Sequence, residues 1–321
     1  MYFYSVIIPV YNRPDELEEL LSSLTRQHYT NFEVIVIEDG SSRRCEDVVN
    51  RFKDQLAVTY IEKKNSGQGF SRNVGFEAAK GDYYLVFDSD CIIPETYFQS
   101  VEKFLSADRL DAFGGPDRSH PSFTLLQKAI SCVMTSPLTT GGIRGGKKRL
   151  GPFHPRSFNM GISKEVFEAI GGYKITRMGE DIEFSIRIHE SGFRVGLIPD
   201  AFVYHKRRTN LVDFYRQLHF FGRARINIGR FFPGEIRTVH FFPALFTVGF
   251  LLLWVLPFIS LQLFNIGISL YGVYFLLLFI TSLFKTKNLL VAVLSIPAGF
   301  IQLFAYGIGF ITEGIRRITK G

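Results

Sequence analysis

From Tyr4 to Asp90 the chain alternates two hydrophobic patterns. Runs at Tyr4–Val10, Glu33–Glu38, Val58–Glu62 and Tyr83–Asp88 read as strands, and Tyr84 to Phe87 has the character of one buried on both faces. Between them the apolar spacing is helical. Leu17, Leu20, Leu21 and Leu24 share one face behind Pro14, with Asp15 and Glu16 in the first turn. Further helices are expected near Glu46–Phe52 and Phe70–Ala79. Alternation at this spacing predicts an α/β fold, a doubly wound, mostly parallel sheet. Beyond Asp90 the regularity loosens, with a helix near Glu95–Leu105 and a strand near Ala112–Gly115. The stretch "TTGGIRGGKKRLGP" (139–152) then reads as a mobile loop, either a solvated linker or a lid over a charged substrate.

The pattern changes again at Val239. From there to Phe284 no Asp, Glu, Lys or Arg occurs. A membrane-spanning helix needs about 20 apolar residues, so this run holds two, with a polar break near Gln262 and Asn265. Residues 289–312 supply a third, interrupted by Pro297 and Gly299. The expectation is an α-helical membrane tail with spans near 239–262, 266–284 and 289–312. Three full crossings would leave the C-terminus outside; a re-entrant bend at Pro297–Gly299 is the alternative.

Charge supports that division. The 321 residues carry 37 Lys plus Arg against 30 Asp plus Glu, a net of +7. Lys206, Arg207, Arg208, Arg216, Arg223, Arg225, Arg230 and Arg237 crowd the segment just before the apolar tail. This placement suits the cytosolic edge of a membrane, with the arginines toward lipid phosphates, and no nucleic-acid partner is expected. Three domains follow: a catalytic domain over 1–205, a basic interfacial segment over 206–238, and the tail over 239–321. Cys45, Cys91 and Cys132 are scattered, without a CxxC pair, and fit a reducing compartment. Met1–Val10 has neither a basic n-region nor a cleavage site, so no signal peptide is expected.

The candidate chemistry begins where the strand "YLVF" (84–87) runs into Asp88, Ser89 and Asp90. Two nearby carboxylates repel, and their burial is costly unless a cation or strong donors compensate. A turn or helix cap is one reading. A Mg²⁺ or Mn²⁺ site at the carboxyl end of a strand, where open α/β sheets bind ligands, is the other.

Five segments occur in an order that resembles family 2 glycosyltransferases of the nucleotide-diphospho-sugar transferase type, with the so-called A fold. They are "SVIIPVYNR" (5–13), "EVIVIEDGS" (33–41), "GFSRNVG" (69–75), "VFDSDC" (86–91) and "MGEDIEFSIRI" (178–188). The resemblance implies a nucleotide-sugar site. Pro9, Tyr11 and Asn12 would border the base, and Asp39 would accept from its imide. Arg72 would approach the diphosphate or ribose, and Asp88 would lie near the ribose. Asp90 would ligate the metal, with His205 as a further metal or phosphate contact. Of the pair Glu180 and Asp181, the first would border the donor and the second would act as general base toward the acceptor hydroxyl. Processive relatives carry Gln-x-x-Arg-Trp before the membrane, whereas "RQLHFFGRARI" (216–226) lacks the Arg-Trp. Addition of a single sugar is therefore expected.

The sequence reading is an inverting, metal-dependent glycosyltransferase at the cytosolic face of the cytoplasmic membrane. It would take a nucleotide-sugar, UDP-linked, and a membrane-held glycolipid or polyprenyl-linked acceptor, in envelope or exopolysaccharide assembly, with membrane lipids as further partners. The rivals are a polyprenyl-phosphate sugar synthase, which needs no hydroxyl base, and a non-catalytic nucleotide-sugar-binding scaffold.

Overall fold

The computed structural model describes residues 1–141 and 152–319. The loop expected at 139–152 falls almost wholly outside the described residues. In chain order, β1 (Tyr4–Val10), α1 (Pro14–Leu24), β2 (Phe32–Asp39), α2 (Glu46–Asn50), β3 (Val58–Lys63), α3 (Gln68–Ala78) and β4 (Tyr83–Phe87) alternate as the pattern predicts. Next come β5 (Cys91–Ile92), α4 (Tyr97–Ala107), β6 (Ala112–Gly114), β7 (Asp117–Arg118), α5 (Leu125–Met134) and α6 (Pro137–Thr140). The chain continues with β8 (Asn159–Ser163), α7 (Lys164–Ile170), α8 (Glu180–Glu190), β9 (Val195–Leu197) and β10 (Val203–His205). Four helices close it: α9 (Leu211–Phe231), α10 (Phe242–Leu252), α11 (Leu261–Thr286) and α12 (Leu289–Ile318).

The chain divides into two compact units. The first comprises residues 1–120 and 152–206. Its seven-stranded sheet has the order β3-β2-β1-β4-β8-β6-β9, with β8 antiparallel to β4 and to β6. The remaining pairs, β3 with β2, β2 with β1, β1 with β4 and β6 with β9, are parallel. Strand alternation sends Val6 and Ile8 to one face, against Leu17, Leu20 and Val101, and Ile7 to the other, against Phe76 and Phe184. Both faces are covered, which is why these strands read as continuous apolar runs. Each such buried side chain contributes about 1.5–3 kcal/mol. Gly75 lets α3 lie close on the sheet, since a Cβ there would sit 2.4 Å from Ile7 Cγ2. A three-stranded sheet, β5-β10-β7, carries the chain from Asp90 to His205.

The second unit comprises residues 121–151 and 207–321. The expected catalytic domain over 1–205 is thus interrupted. The reason is the apolar face of α5, whose Ile130, Val133 and Met134 bury against Phe214, Leu218, Leu278, Ala298 and Ala305 of α9, α11 and α12. Two of the expected spans correspond to long apolar helices, α11 and α12, each long enough to cross a membrane. The expected span over 239–262 does not form as one helix. Its α10 has 11 residues, or about 16 Å at 1.5 Å per residue, and Pro257 lies in the 3₁₀ turn that follows. The helix α12 runs on through Pro297, so the re-entrant bend is absent.

The basic segment also differs from expectation. Arg223 donates to Glu313 at 3.0 Å, Arg225 faces Glu235 at 3.9 Å, and Arg317 donates to the carbonyl of Ile226 at 2.8 Å. These arginines close α9 onto α12 and onto its own exit turn, whereas lipid phosphates were the expected partners. Glu313, 90 positions from Arg223, is invisible to local charge counting.

Candidate active site

Parallel strands β1, β2 and β4 end at one edge of the first unit's sheet, and the antiparallel β8 begins there, with Asn159 opposite Phe87. The site is built from the chain segments that leave this edge. After β1 the chain turns through Asn12 at φ 56, a left-handed conformation that Asn tolerates. Asn12 is tied to the exit of β2: its N–H donates to Ser41 Oγ at 2.7 Å, and its Oδ1 accepts from Ser42 Oγ at 3.0 Å and Arg43 N at 2.9 Å. Pro9 is half-buried, and Tyr11 stands out with half its surface exposed.

Arg72 organises the centre. It is 1% exposed, and its Nη2 donates to Asp88 Oδ1 at 2.8 Å while Nη1 donates to Glu180 Oε1 at 3.2 Å. The guanidinium also lies 5.4 Å from the centre of the Tyr173 ring. One buried cation therefore joins the end of β4 to the start of α8. Glu180 Oε1 accepts a second bond from Gln68. Burial, followed by the charge of Asp181, raises the Glu180 carboxyl above its usual value, against the pull of Arg72 and Gln68.

Gly179, at φ 103, caps α8 in a backbone conformation that favours glycine and opens the helix at the acidic pair. Glu180 is buried toward Arg72, whereas Asp181 is only partly covered and takes a different cation. Arg156 Nη1 donates to Asp181 Oδ2 at 3.2 Å, and Ile182 N donates to its Oδ1 at 2.9 Å.

Asp90 is held from two sides. Arg13 Nη1 donates to Oδ2 at 2.6 Å, and His205 Nε2 lies 3.1 Å from Oδ1. Burial opposes ionisation here, but His205 and then Arg13 outweigh it and keep the carboxylate well below its usual range. Ligand atoms of Asp90, Cys91 and His205 all lie within 4.8 Å of one another. Carboxylate and imidazole suit a hard or borderline divalent cation; a thiol suits softer metals. Cys91 Sγ in addition donates to the carbonyl of Phe158 at 3.5 Å. Asp90 and His205 thus fit a Mg²⁺- or Mn²⁺-type ion with ligands of its own, while Asp88 is engaged by Arg72.

Asp39, expected to accept from a base, already has donors of its own. It is buried, and its oxygens already accept from Lys63 Nζ at 2.6 Å, Ser66 N at 2.9 Å and Gly67 N at 2.9 Å. Burial resists ionisation, but Lys63, Ser66 and Ser71 outweigh it and lower the pKa. A carboxylate offers about four lone-pair sites, so one is left for a base. These bonds tie Asp39 to the turn that enters α3.

Sequence reasoning missed Arg13, Gln68, Arg156 and Tyr173. Arg13 was visible within "PVYNR", and its partner lies 77 positions away. Arg156 sits in "FHPRSFN", where the only signal was an arginine next to the start of a strand.

Comparison with known proteins identifies the family. The family model described as Glycosyl transferase family 2 matches residues 5–171. An uncharacterized glycosyltransferase of Haemophilus influenzae is 31% identical over 219 residues, covering 64% of this chain and 70% of that protein. The chain spans 15% and 53% of the length of two further curated relatives. Among solved structures, the mannosyltransferase PcManGT of Pyrobaculum calidifontis, in complex with GDP-Man and Mn²⁺, matches with a TM-score of 0.59 at 18% identity. That match covers 97% of this chain and 87% of the other. S. aureus TarS 1–349 in complex with UDP-GlcNAc matches with a TM-score of 0.51 at 18% identity, over 97% of this chain and 92% of that one. These two likenesses show a shared fold. With the sheet, its acidic edge and the family match over more than half of its length in agreement, this chain belongs to glycosyl transferase family 2.

Proposed function

We propose that the protein transfers one sugar, with inversion, from a UDP-linked donor to a hydroxyl of a membrane-held glycolipid in envelope or exopolysaccharide assembly. The observation that carries this reading is the Arg72 bridge from Asp88 to Glu180. It makes the donor-side exit of β4 and the acceptor-side start of α8 neighbours, as a single in-line displacement requires. In that displacement the acceptor oxygen bonds to the anomeric carbon, the bond to the diphosphate breaks, and Asp181 takes the hydroxyl proton. Tyr11 would border the base, with Pro9 and Asn12 shaping the turn and Asp39 offering its remaining acceptor site. A divalent cation held by Asp90 and His205 would supply positive charge to the departing diphosphate. Nucleotide-sugars in the two structural neighbours support a donor of this class.

The helix α11, long and apolar enough to cross a membrane and with only Leu278 and Ser282 buried, supports membrane attachment. A radiolabel transfer screen of nucleotide sugars against membrane lipid extract tests the whole reading. Label from a UDP-sugar should appear in a lipid-extractable product; label passing only to water or to soluble saccharides would overturn the acceptor assignment. One observation favours a second reading. Arg156, beside Asp181, is a guanidinium that could meet an anionic acceptor, as in a polyprenyl-phosphate sugar synthase. A product labile as a glycosyl phosphate would select that reading.

A further inference from the structure

The two carboxylates at the end of β4 are each paired with an arginine, and the arginines differ in kind. Arg72, on Asp88, is 1% exposed, holds Glu180 as well and lies against Tyr173. It is fixed. Arg13, on Asp90, has a side chain 31% exposed and, among the described residues, makes this one side-chain ion pair. Its backbone is anchored on both sides, by the Asn12 bonds to Ser41, Ser42 and Arg43 and by Pro14 at the start of α1. Only the side chain has room to move. The oxygen it occupies belongs to the carboxylate that, with His205, suits a divalent cation. A guanidinium and a cation compete for one carboxylate, and Arg is also a strong partner for phosphate oxygens.

We propose that Arg13 is a diphosphate-binding residue parked on Asp90 until donor arrives. It then exchanges the carboxylate for the diphosphate, which frees Asp90 for the cation. This inference rests on the proposed cation-dependent use of a nucleotide diphosphate at this site. The exchange conserves ion pairing. The Asp90–Arg13 pair gives way to Asp90 with the cation and Arg13 with a phosphate oxygen, so neither charge is left uncompensated as water is excluded. Its consequence is energetic coupling. A cation arriving alone must displace Arg13 and leave it unpaired, whereas a cation arriving with nucleotide does not. By linkage, nucleotide must raise the affinity for cation by the same factor as cation raises that for nucleotide.

The test is Mn²⁺ binding to the purified full-length protein in detergent, read by electron paramagnetic resonance with and without UDP, and in parallel with GDP. For the wild type, nucleotide should tighten Mn²⁺ binding roughly 5–150-fold, the usual range of such coupling. Arg13→Gln should bind Mn²⁺ alone more tightly than the wild type, and its coupling factor should fall below the wild-type value, leaving only the direct attraction of cation for diphosphate. In Mn²⁺-free buffer, Asp90→Asn should bind UDP more tightly by releasing Arg13, and that gain should vanish in the Arg13→Gln/Asp90→Asn double variant. This second arm keeps the proposal testable if one single variant is poorly folded. Coupling in Arg13→Gln equal to wild type, or a gain from Asp90→Asn that survives loss of Arg13, overturns the parked-arginine inference alone. Absence of Mn²⁺ binding by wild type with either nucleotide overturns the cation-dependent reading beneath it.

Discussion

Arg156 lies 3.2 Å from Asp181, its guanidinium facing the carboxylate at the start of α8. The neighbouring Glu180 is turned inward to Arg72 and Gln68. Two consecutive acidic residues thus have separate partners, and Asp181 is the one left where an acceptor could meet it. Asp181→Asn is nearly isosteric and removes the proposed base. Turnover should fall roughly 10²–10⁴-fold, with nucleotide-sugar affinity little changed. Steady-state kinetics alongside equilibrium donor binding checks this. Lost donor binding with preserved turnover at saturation would remove Asp181 from its role, and full activity would favour an acceptor that is already an anion.

Asp90 gives the second prediction. Asp90→Ala removes a carboxylate that both Arg13 and His205 face. Transfer should drop by at least about 10²-fold, the scale seen when a charge-stabilising group is lost from an active site. Chelator should reduce wild-type activity, and added Mn²⁺ or Mg²⁺ should restore it. A variant that melts like the wild type and still turns over at the wild-type rate would count decisively against a cation on Asp90.

The contrast between these two acidic sites shows what could be read from the chain. Strands β1, β2 and β4 were legible because a buried parallel strand leaves a local trace, an unbroken apolar run such as Val34–Ile37. Asp88, Asp90, Glu180 and Asp181 were legible because they sit at element ends within recognisable segments. Their pairings with arginines were not. Arg13 reaches Asp90 across 77 positions and Arg72 reaches Glu180 across 108, and no local periodicity encodes such pairs. The same holds for α5, whose apolar face completes the core of a unit begun far downstream. The strand β8 enters the sheet antiparallel between β4 and β6, an order set by crossovers that lie beyond local pattern.

Arg72 yields a stability prediction. Replacing it by Met leaves Glu180 buried without its cation, and Asp88 without a partner. Breaking a buried pair from one side typically costs about 3–5 kcal/mol, and Arg72→Met should fall in that range. Adding Glu180→Gln removes the stranded charge and should recover part of the loss. Denaturant unfolding of the purified protein, monitored through tyrosine fluorescence, would read both effects. Additive losses in the double variant would show that the two residues do not act on each other.

The last prediction concerns the side of the membrane on which the chain ends. Three full crossings would separate the arginines of α9 from those after Phe310. Yet Arg223 pairs with Glu313 at 3.0 Å, and Arg317 Nη2 donates to Asn227 Oδ1 at 3.2 Å. Contacts this short cannot be made across a hydrocarbon layer about 30 Å thick. Residues 223–227 and 313–317 must therefore share one side, and the chain between them must cross an even number of times. An arginine-rich α9 belongs on the cytosolic side by the positive-inside tendency, so the described end of α12 belongs there too. Cys45, Cys91 and Cys132 are all buried, which leaves a low background for labelling. A cysteine placed by Thr319→Cys should be protected from an impermeant thiol reagent in intact cells and react after lysis. Labelling before lysis, with Arg223→Ala showing that the protein still folds, would place the end outside and break the α9–α12 pairing as a feature of the membrane-bound enzyme.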